Sequence, residues 1–221
     1  MMVKVVLFDL DGTLIDSKKA IVKSFLETAK ILHVTLDPKI IEENIGLNSK
    51  EILKLALKTP LNDVGIENFI KLRRKVYESL WRKEVKLYSD VLPVLKELKR
   101  RRIKVGIVSS NIKSRLKEIL EYFNLEEYVD VYIGLGDYVH AKPHPEPILL
   151  ALKKLNVNVK SEVYYVGDME LDCLAAKNAG IKFILIIRDR ASNEQYFKKC
   201  KPDFIVYDLY ELLNIICKEE K

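Results

Sequence analysis

The chain has 221 residues, 48% of them apolar, and 38 Lys and Arg against 32 Asp and Glu, a net charge of +6. That apolar content excludes disorder of the whole chain. No apolar run approaches the roughly 20 residues that a bilayer span needs, and Asp9 and Asp11 cut short the apolar run at Met1 to Phe8, so a secretory leader is not expected. The expectation is a cytoplasmic protein, monomer or homodimer, with one domain of about 150 residues and a smaller insert. Both signs of charge are interspersed. The densest basic run, Lys99-Arg100-Arg101-Arg102, reads as a helix C-terminus, where cations meet the negative end of the dipole. No basic stripe with aromatic platforms is present, so neither nucleic acid nor membrane is expected as a partner. Cys173, Cys200 and Cys217 are odd in number and widely spaced, which argues against a disulfide framework. With His33, His140 and His144 they show no spacing for structural zinc.

Taken in chain order, Val3 to Phe8 is a short, nearly continuous apolar run and reads as a buried strand. From Ser17 to about Lys86 strand-like runs almost vanish. Ala20, Ile21, Phe25 and Ala29, then Ile52, Leu55 and Ala56, then Phe69, Leu72, Val76 and Leu80 recur at helical spacing, with breaks near Asp37-Pro38, Gly46, Thr59-Pro60 and Gly65. Strand patterns return at Ile103 to Val108, Val129 to Ile133, Val163 to Val166, Phe183 to Ile187 and Phe204 to Val206, and helical patterns separate most of them. This alternation predicts an α/β fold, a Rossmann-like parallel sheet core flanked by helices, with a small all-helical cap inserted after the first strand. The expected domains are 1–15 with 87–221 for the core and 16–86 for the cap, placed over the carboxyl edge of the sheet because both its connections leave from there.

In an open parallel sheet, ligands bind beyond the carboxyl ends of the strands. The first strand ends in Asp9 and Asp11, the second in Ser109, Ser110 and Asn111 at an expected helix start, and Lys142 follows the third. The strand ending at Val166 leads into Gly167, Asp168 and Asp172. Four carboxylates gathered at one edge would repel one another and raise each other's pKa. A hard divalent cation resolves that conflict, and an all-oxygen donor set suits Mg2+. A lysine beside them would balance the charge on a bound phosphate.

Asp9-Leu10-Asp11-Gly12-Thr13-Leu14 strongly resembles the first motif of the haloacid-dehalogenase-like (HAD) phosphatases. Ser109 after its apolar strand, Lys142 before Pro143, and Gly167-Asp168-Met169-Glu170-Leu171-Asp172 resemble the second, third and fourth, in order along nearly the whole chain. The tail Ala175 to Gly180 resembles the subgroup with a small helical cap.

The resemblance implies a Mg2+-dependent phosphomonoester hydrolase acting on a small phosphorylated metabolite, with phosphoglycolate the leading candidate. Asp9 would be the nucleophile, forming an aspartyl-phosphate. Asp11 would protonate the leaving oxygen and then deprotonate the attacking water, its backbone carbonyl touching the metal. Ser109, with the N–H groups around Ser110 and Asn111, would hold phosphoryl oxygens, and Lys142 would neutralise charge in the transition state. Asp168 would be a direct metal ligand. Asp172 would hold a metal-bound water, orient Lys142, or cap a helix. His140 and His144 read as loop or capping residues, Tyr138 as able to close over the site, and Trp81 as core or hinge packing.

Selectivity would come from the cap. Ile45-Gly46-Leu47-Asn48 resembles the cap loop of phosphoglycolate-phosphatase-like members. Gly46 would let that loop approach the substrate, and Asn48, Lys50, Arg73 and Arg74 are candidates to meet its polar groups, although Arg73 and Arg74 also read as a solvated helix face. A sugar-phosphate mutase resembling β-phosphoglucomutase, or a pyrophosphatase, would use the same core. Dehalogenation would need no acid at Asp11.

Overall fold

The structure, a computed structural model, describes residues 3–158, 160–188 and 199–219. In chain order its elements begin with β1 (Val5–Phe8), β2 (Ile15–Asp16), α1 (Lys18–Ile31), α2 (Pro38–Glu43), α3 (Ser49–Ala56), α4 (Asp63–Glu84) and β3 (Lys86–Leu87). There follow α5 (Val91–Arg100), β4 (Lys104–Ile112), α6 (Lys113–Tyr122), β5 (Val131–Leu135) and α7 (Glu146–Lys154). The last are β6 (Val163–Gly167), α8 (Glu170–Ala179), β7 (Lys182–Ile186), β8 (Phe204–Val206) and α9 (Leu209–Glu219). They form two compact units, Met1–Leu14 with Leu87–Lys221, and Ile15–Lys86.

The first unit is built on a parallel sheet of order β5-β4-β1-β6-β7-β8. β1 and β6 are buried along their whole length, as expected of central parallel strands covered on both faces. Helices supply that cover: α5 buries Val91, Val94, Leu95 and Leu98, one face of a 3.6-residue period. The basic run does end α5, and Arg100 and Arg101 both donate to Glu97 at 2.7 Å. Those hydrogen bonds hold the Glu97 carboxyl down at about 2. Chain order reverses on either side of β1, which opens a crevice beyond its carboxyl end.

Two expectations are corrected in this unit. β4 does not stop at Val108 but runs on through Ser109, Ser110 and Asn111 to Ile112, with its register against β5 shifted between Val108 and Ile112. The helix therefore starts at Lys113, and its N-cap, Ile112, makes no side-chain cap bond, so Ser109 is not a helix cap. Cys173 on α8 and Cys200, just before β8, are joined in a disulfide with Cα atoms 6.0 Å apart. Their 27-residue separation hid the pair, because the fold brings α8 and the β8 approach together. Closing a loop of that length in the unfolded chain is worth about 3 kcal/mol. Cys200→Ser is expected to lose that stability in urea unfolding, and a reductant should destabilise the parent but not the variant.

The inserted unit is helical apart from its connecting strands. β2 and β3 pair with each other, two short strands not expected from the sequence. α1 and α4 meet through Phe25 and Phe69, stacked at 6.1 Å. Trp81 is fully buried and donates to Glu78 at 3.1 Å, a packing role. Gly65 breaks nothing: it lies in the first turn of α4, its N–H capped by Asn62 at 2.8 Å. Among the described residues no helix is long and apolar enough to cross a membrane.

Candidate active site

Asp9 extends β1 by one residue, its N–H donating to the Val166 carbonyl of β6 at 2.8 Å. The chain then turns tightly, with Leu14 N–H returning to the Leu10 carbonyl at 2.8 Å. Gly12 makes the turn possible twice over. Its φ is +77°, and a Cβ there would overlap the carboxylate of Asp168. Thr13, the next residue, is buried and donates from Oγ1 to Asp168 Oδ1 at 3.3 Å.

Lys142 reaches in from the loop between β5 and α7. Its ammonium donates to Asp9 Oδ1 at 2.7 Å, Asp172 Oδ1 at 2.6 Å and the Tyr165 hydroxyl at 3.2 Å. All three partners are buried. Burial alone would lower the lysine's pKa, but the carboxylates of Asp172 and Asp9 outweigh it and the group stands well above its usual value. The second oxygen of Asp172 accepts the Met169 N–H at 3.1 Å, so this acid both orients the lysine and caps α8.

Carboxylate oxygens of Asp9, Asp168 and Asp172 lie within 4.8 Å of one another. Burial pushes the Asp9 carboxyl up to about 7, with Lys142 opposing and Asp172 and Asp11 adding to the rise. Asp168 is pushed well above the carboxylate range, first by burial and then by Asp9 and Asp172. One lysine does not neutralise this group. The excess negative potential and the hard oxygen donors fit a divalent cation of the Mg2+ type.

Beside the acids, Ser109 is buried and its Oγ accepts the Asn111 N–H at 3.1 Å. The Asn111 amide donates to Asp11 Oδ2, and Tyr138 donates to the Ser109 carbonyl at 3.3 Å. Ser110 stands between them, half-buried in the same bulged stretch of β4. His140 and His144 serve the loop. Glu146 accepts from the N–H groups of Val139 and His140, both at 2.9 Å, and lies 2.8 Å from His140 Nδ1. His144 accepts the Glu146 N–H at 3.2 Å.

The candidates in the inserted unit are placed as follows. Gly46 has φ +115° in the loop before α3. Asn48 is the N-cap of α3, accepting from Lys50 N–H at 3.1 Å and Glu51 N–H at 3.0 Å. Lys50 pairs with Glu67 at 2.7 Å. Arg74 is exposed, but Arg73 is not on a solvated face. Arg73 is buried, donates to Ser49 Oγ at 2.7 Å and lies over the Phe25 ring at 4.3 Å.

Tyr165 belongs to the site and was hidden in an apolar strand pattern. Its hydroxyl contacts Lys142, lies 3.1 Å from Asp172 Oδ1 and donates to the Val108 carbonyl at 3.1 Å. Tyr165→Phe is expected to cost about 1–3 kcal/mol, because buried polar partners lose a hydrogen bond. Denaturant midpoints read the loss, and a parallel fall in kcat would show that Lys142 has shifted.

The haloacid dehalogenase-like hydrolase profile matches residues 6–186. The chain belongs to this family. A pyrophosphatase PpaX from Halalkalibacterium halodurans is 32% identical to this HAD-like hydrolase across 98% of each chain. A solved Bacteroides fragilis chain described as haloacid dehalogenase-like is 29% identical, with a TM-score of 0.86 over 95% of this chain and 99% of that one. A Haemophilus somnus structure, described as a predicted phosphoglycolate phosphatase, shares the fold at 22% identity, with a TM-score of 0.85 over 97% and 98% of the two chains. This HAD-like hydrolase is an enzyme of the HAD-like phosphatase type.

Proposed function

We propose that the chain is a Mg2+-dependent phosphohydrolase that works through an aspartyl-phosphate on Asp9. The observation that carries this reading is Lys142 held between Asp9 and Asp172 at 2.7 and 2.6 Å, in a cluster with Asp168. Asp9 and Asp168, with the Asp11 carbonyl, would hold Mg2+, which supplies neutralisation of the phosphoryl charge when bound.

An Asp9 oxygen attacks phosphorus as the bond to the leaving oxygen breaks, and that oxygen takes the Asp11 proton. Asp11, now a carboxylate, takes a proton from water as the water oxygen attacks the aspartyl-phosphate and frees Asp9. The Asn111 amide, donating to Asp11, aims that carboxyl. The Ser109 hydroxyl, set by the Asn111 N–H, and the neighbouring Ser110 N–H orient the phosphoryl oxygens, and Lys142 meets the charge that develops on them. Asp172 is assigned to holding Lys142, because both its oxygens are engaged.

The inserted unit is proposed as the selective cap. Likeness to a relative named as a pyrophosphatase supports pyrophosphate as the substrate. Against phosphoglycolate, Asn48 is engaged as a helix cap and Lys50 is paired with Glu67, which leaves both committed within the unit.

Purified enzyme with Mg2+, assayed on pyrophosphate, phosphoglycolate, sugar phosphates and nucleotides, is expected to give its highest kcat/KM on pyrophosphate and none after chelation. A lead for phosphoglycolate would move the substrate assignment. Phosphoryl transfer to a sugar hydroxyl rather than water would make the enzyme a mutase. Turnover that survives chelation would overturn the metal-dependent reading.

A further inference from the structure

Arg188 follows β7 and belongs to none of the motifs that mark the acids. Its guanidinium spends its donors on two points of the core. Nη1 donates to Asp90 Oδ2 at 2.6 Å, while Nε and Nη2 both donate to the Thr13 carbonyl, at 3.1 and 2.6 Å. The group also lies over the Tyr88 ring at 4.1 Å. Asp90 is itself buried and fixed, since its Oδ2 accepts the Leu209 N–H at the start of α9 at 2.7 Å.

These contacts have a direction. A carbonyl gripped by two N–H donors of one rigid fork cannot rotate its peptide plane. The Thr13 peptide is therefore set by Arg188, and the Thr13 side chain carries that setting to Asp168 Oδ1. Arg188 also gathers both ends of the chain break in the core, Thr13 before the insert and Tyr88 and Asp90 after it, where Tyr88 N–H donates to the Leu14 carbonyl at 3.1 Å. Burying an ion pair carries a desolvation cost that a surface pair avoids, and a lysine, a single point donor, lacks the planar fork that grips the Thr13 carbonyl with two N–H groups.

We propose that Arg188 is a positioning residue which, anchored on Asp90, holds the Thr13 peptide so that the Thr13 hydroxyl keeps Asp168 aimed for Mg2+. This rests on the metal-dependent reading above. The measurement is therefore Mg2+ binding by calorimetry without substrate, on the whole chain, alongside thermal unfolding.

Arg188→Met is expected to weaken Mg2+ binding about tenfold, the lower end for groups that orient a ligand from outside the coordination shell. Thr13→Val should weaken it similarly. The double variant should bind no more weakly than the weaker single one, because both act through one contact. Arg188→Lys should fall between the parent and Arg188→Met. If Arg188→Met lowers only the melting temperature, or if the two substitutions multiply, the positioning role is refuted. Should Arg188→Met fail to fold, Asp90→Asn decides: it removes the anchor's charge, and unchanged Mg2+ binding in it refutes the role. A parent protein that binds no Mg2+ would instead sink the underlying functional reading.

Discussion

Asp9→Asn is expected to abolish turnover, by about 10^4-fold or more, since the proposed mechanism forms the bond to phosphorus on this carboxylate. The same change should make the metal-free protein more stable at pH 8. Asp9 has its carboxyl raised from 3.8 to about 7, chiefly by burial. A folded-state pKa above the unfolded value means that the folded chain binds the proton more tightly. Stability is therefore lost as pH climbs from about 4 to about 7, and the full penalty stands above 7. Asparagine carries no such penalty. Melting curves of the two metal-free proteins should lie close together near pH 4 and separate toward pH 8, with the variant higher. Mg2+ should raise the parent's melting temperature more than the variant's, because a ligand stabilises in proportion to its affinity for the folded state. A variant that melts below the parent at pH 8 would show that the Lys142 contact outweighs the crowding of the acids.

Lys142→Met should damage both activity and fold. The ammonium is the charge partner of two buried acids, with 6% of its side chain exposed against 7% for Asp9 and 1% for Asp172. Removing one member of a buried pair strands the others at a cost of about 3–5 kcal/mol. Loss of the cation proposed to meet the phosphoryl oxygens should lower kcat about 10^2- to 10^3-fold. Urea unfolding and steady-state kinetics read the two effects separately. Added Mg2+ should return part of the stability and little of the rate. Full activity in this variant would remove the lysine from the chemistry.

Much of the site could be read from residue order, for a simple reason. Asp9, Asp11, Asp168 and Asp172 lie at or just beyond the ends of apolar strands, and in a parallel sheet those ends meet. What stayed hidden depends on contacts between distant segments. Ser109, Ser110 and Asn111 read as a turn into a helix because they are polar, yet pairing with β5 carries the strand through them to Ile112. Tyr165 sits in a run of apolar residues, and only the fold shows its hydroxyl turned to Lys142. Arg73 resembles any charged residue on a helix until its stacking on Phe25 is seen. Cys173 and Cys200 have no telling spacing, and Arg188 no motif. The inserted helices were legible from their periodicity, while the pairing of β2 with β3 was not, because two-residue strands leave no pattern.

The place of β1 at the centre of the sheet has a consequence for biosynthesis. This strand leaves the ribosome before either neighbour, so Val5 must wait for Lys104 on one side and Val163 on the other. Until then its VVLF segment is an unpaired, sticky edge. Meanwhile the whole helical insert is translated, and its contacts are local enough to form quickly. Nascent chains released before residue 104 should thus carry a folded insert beside an exposed first strand, and be captured by chaperones in that state.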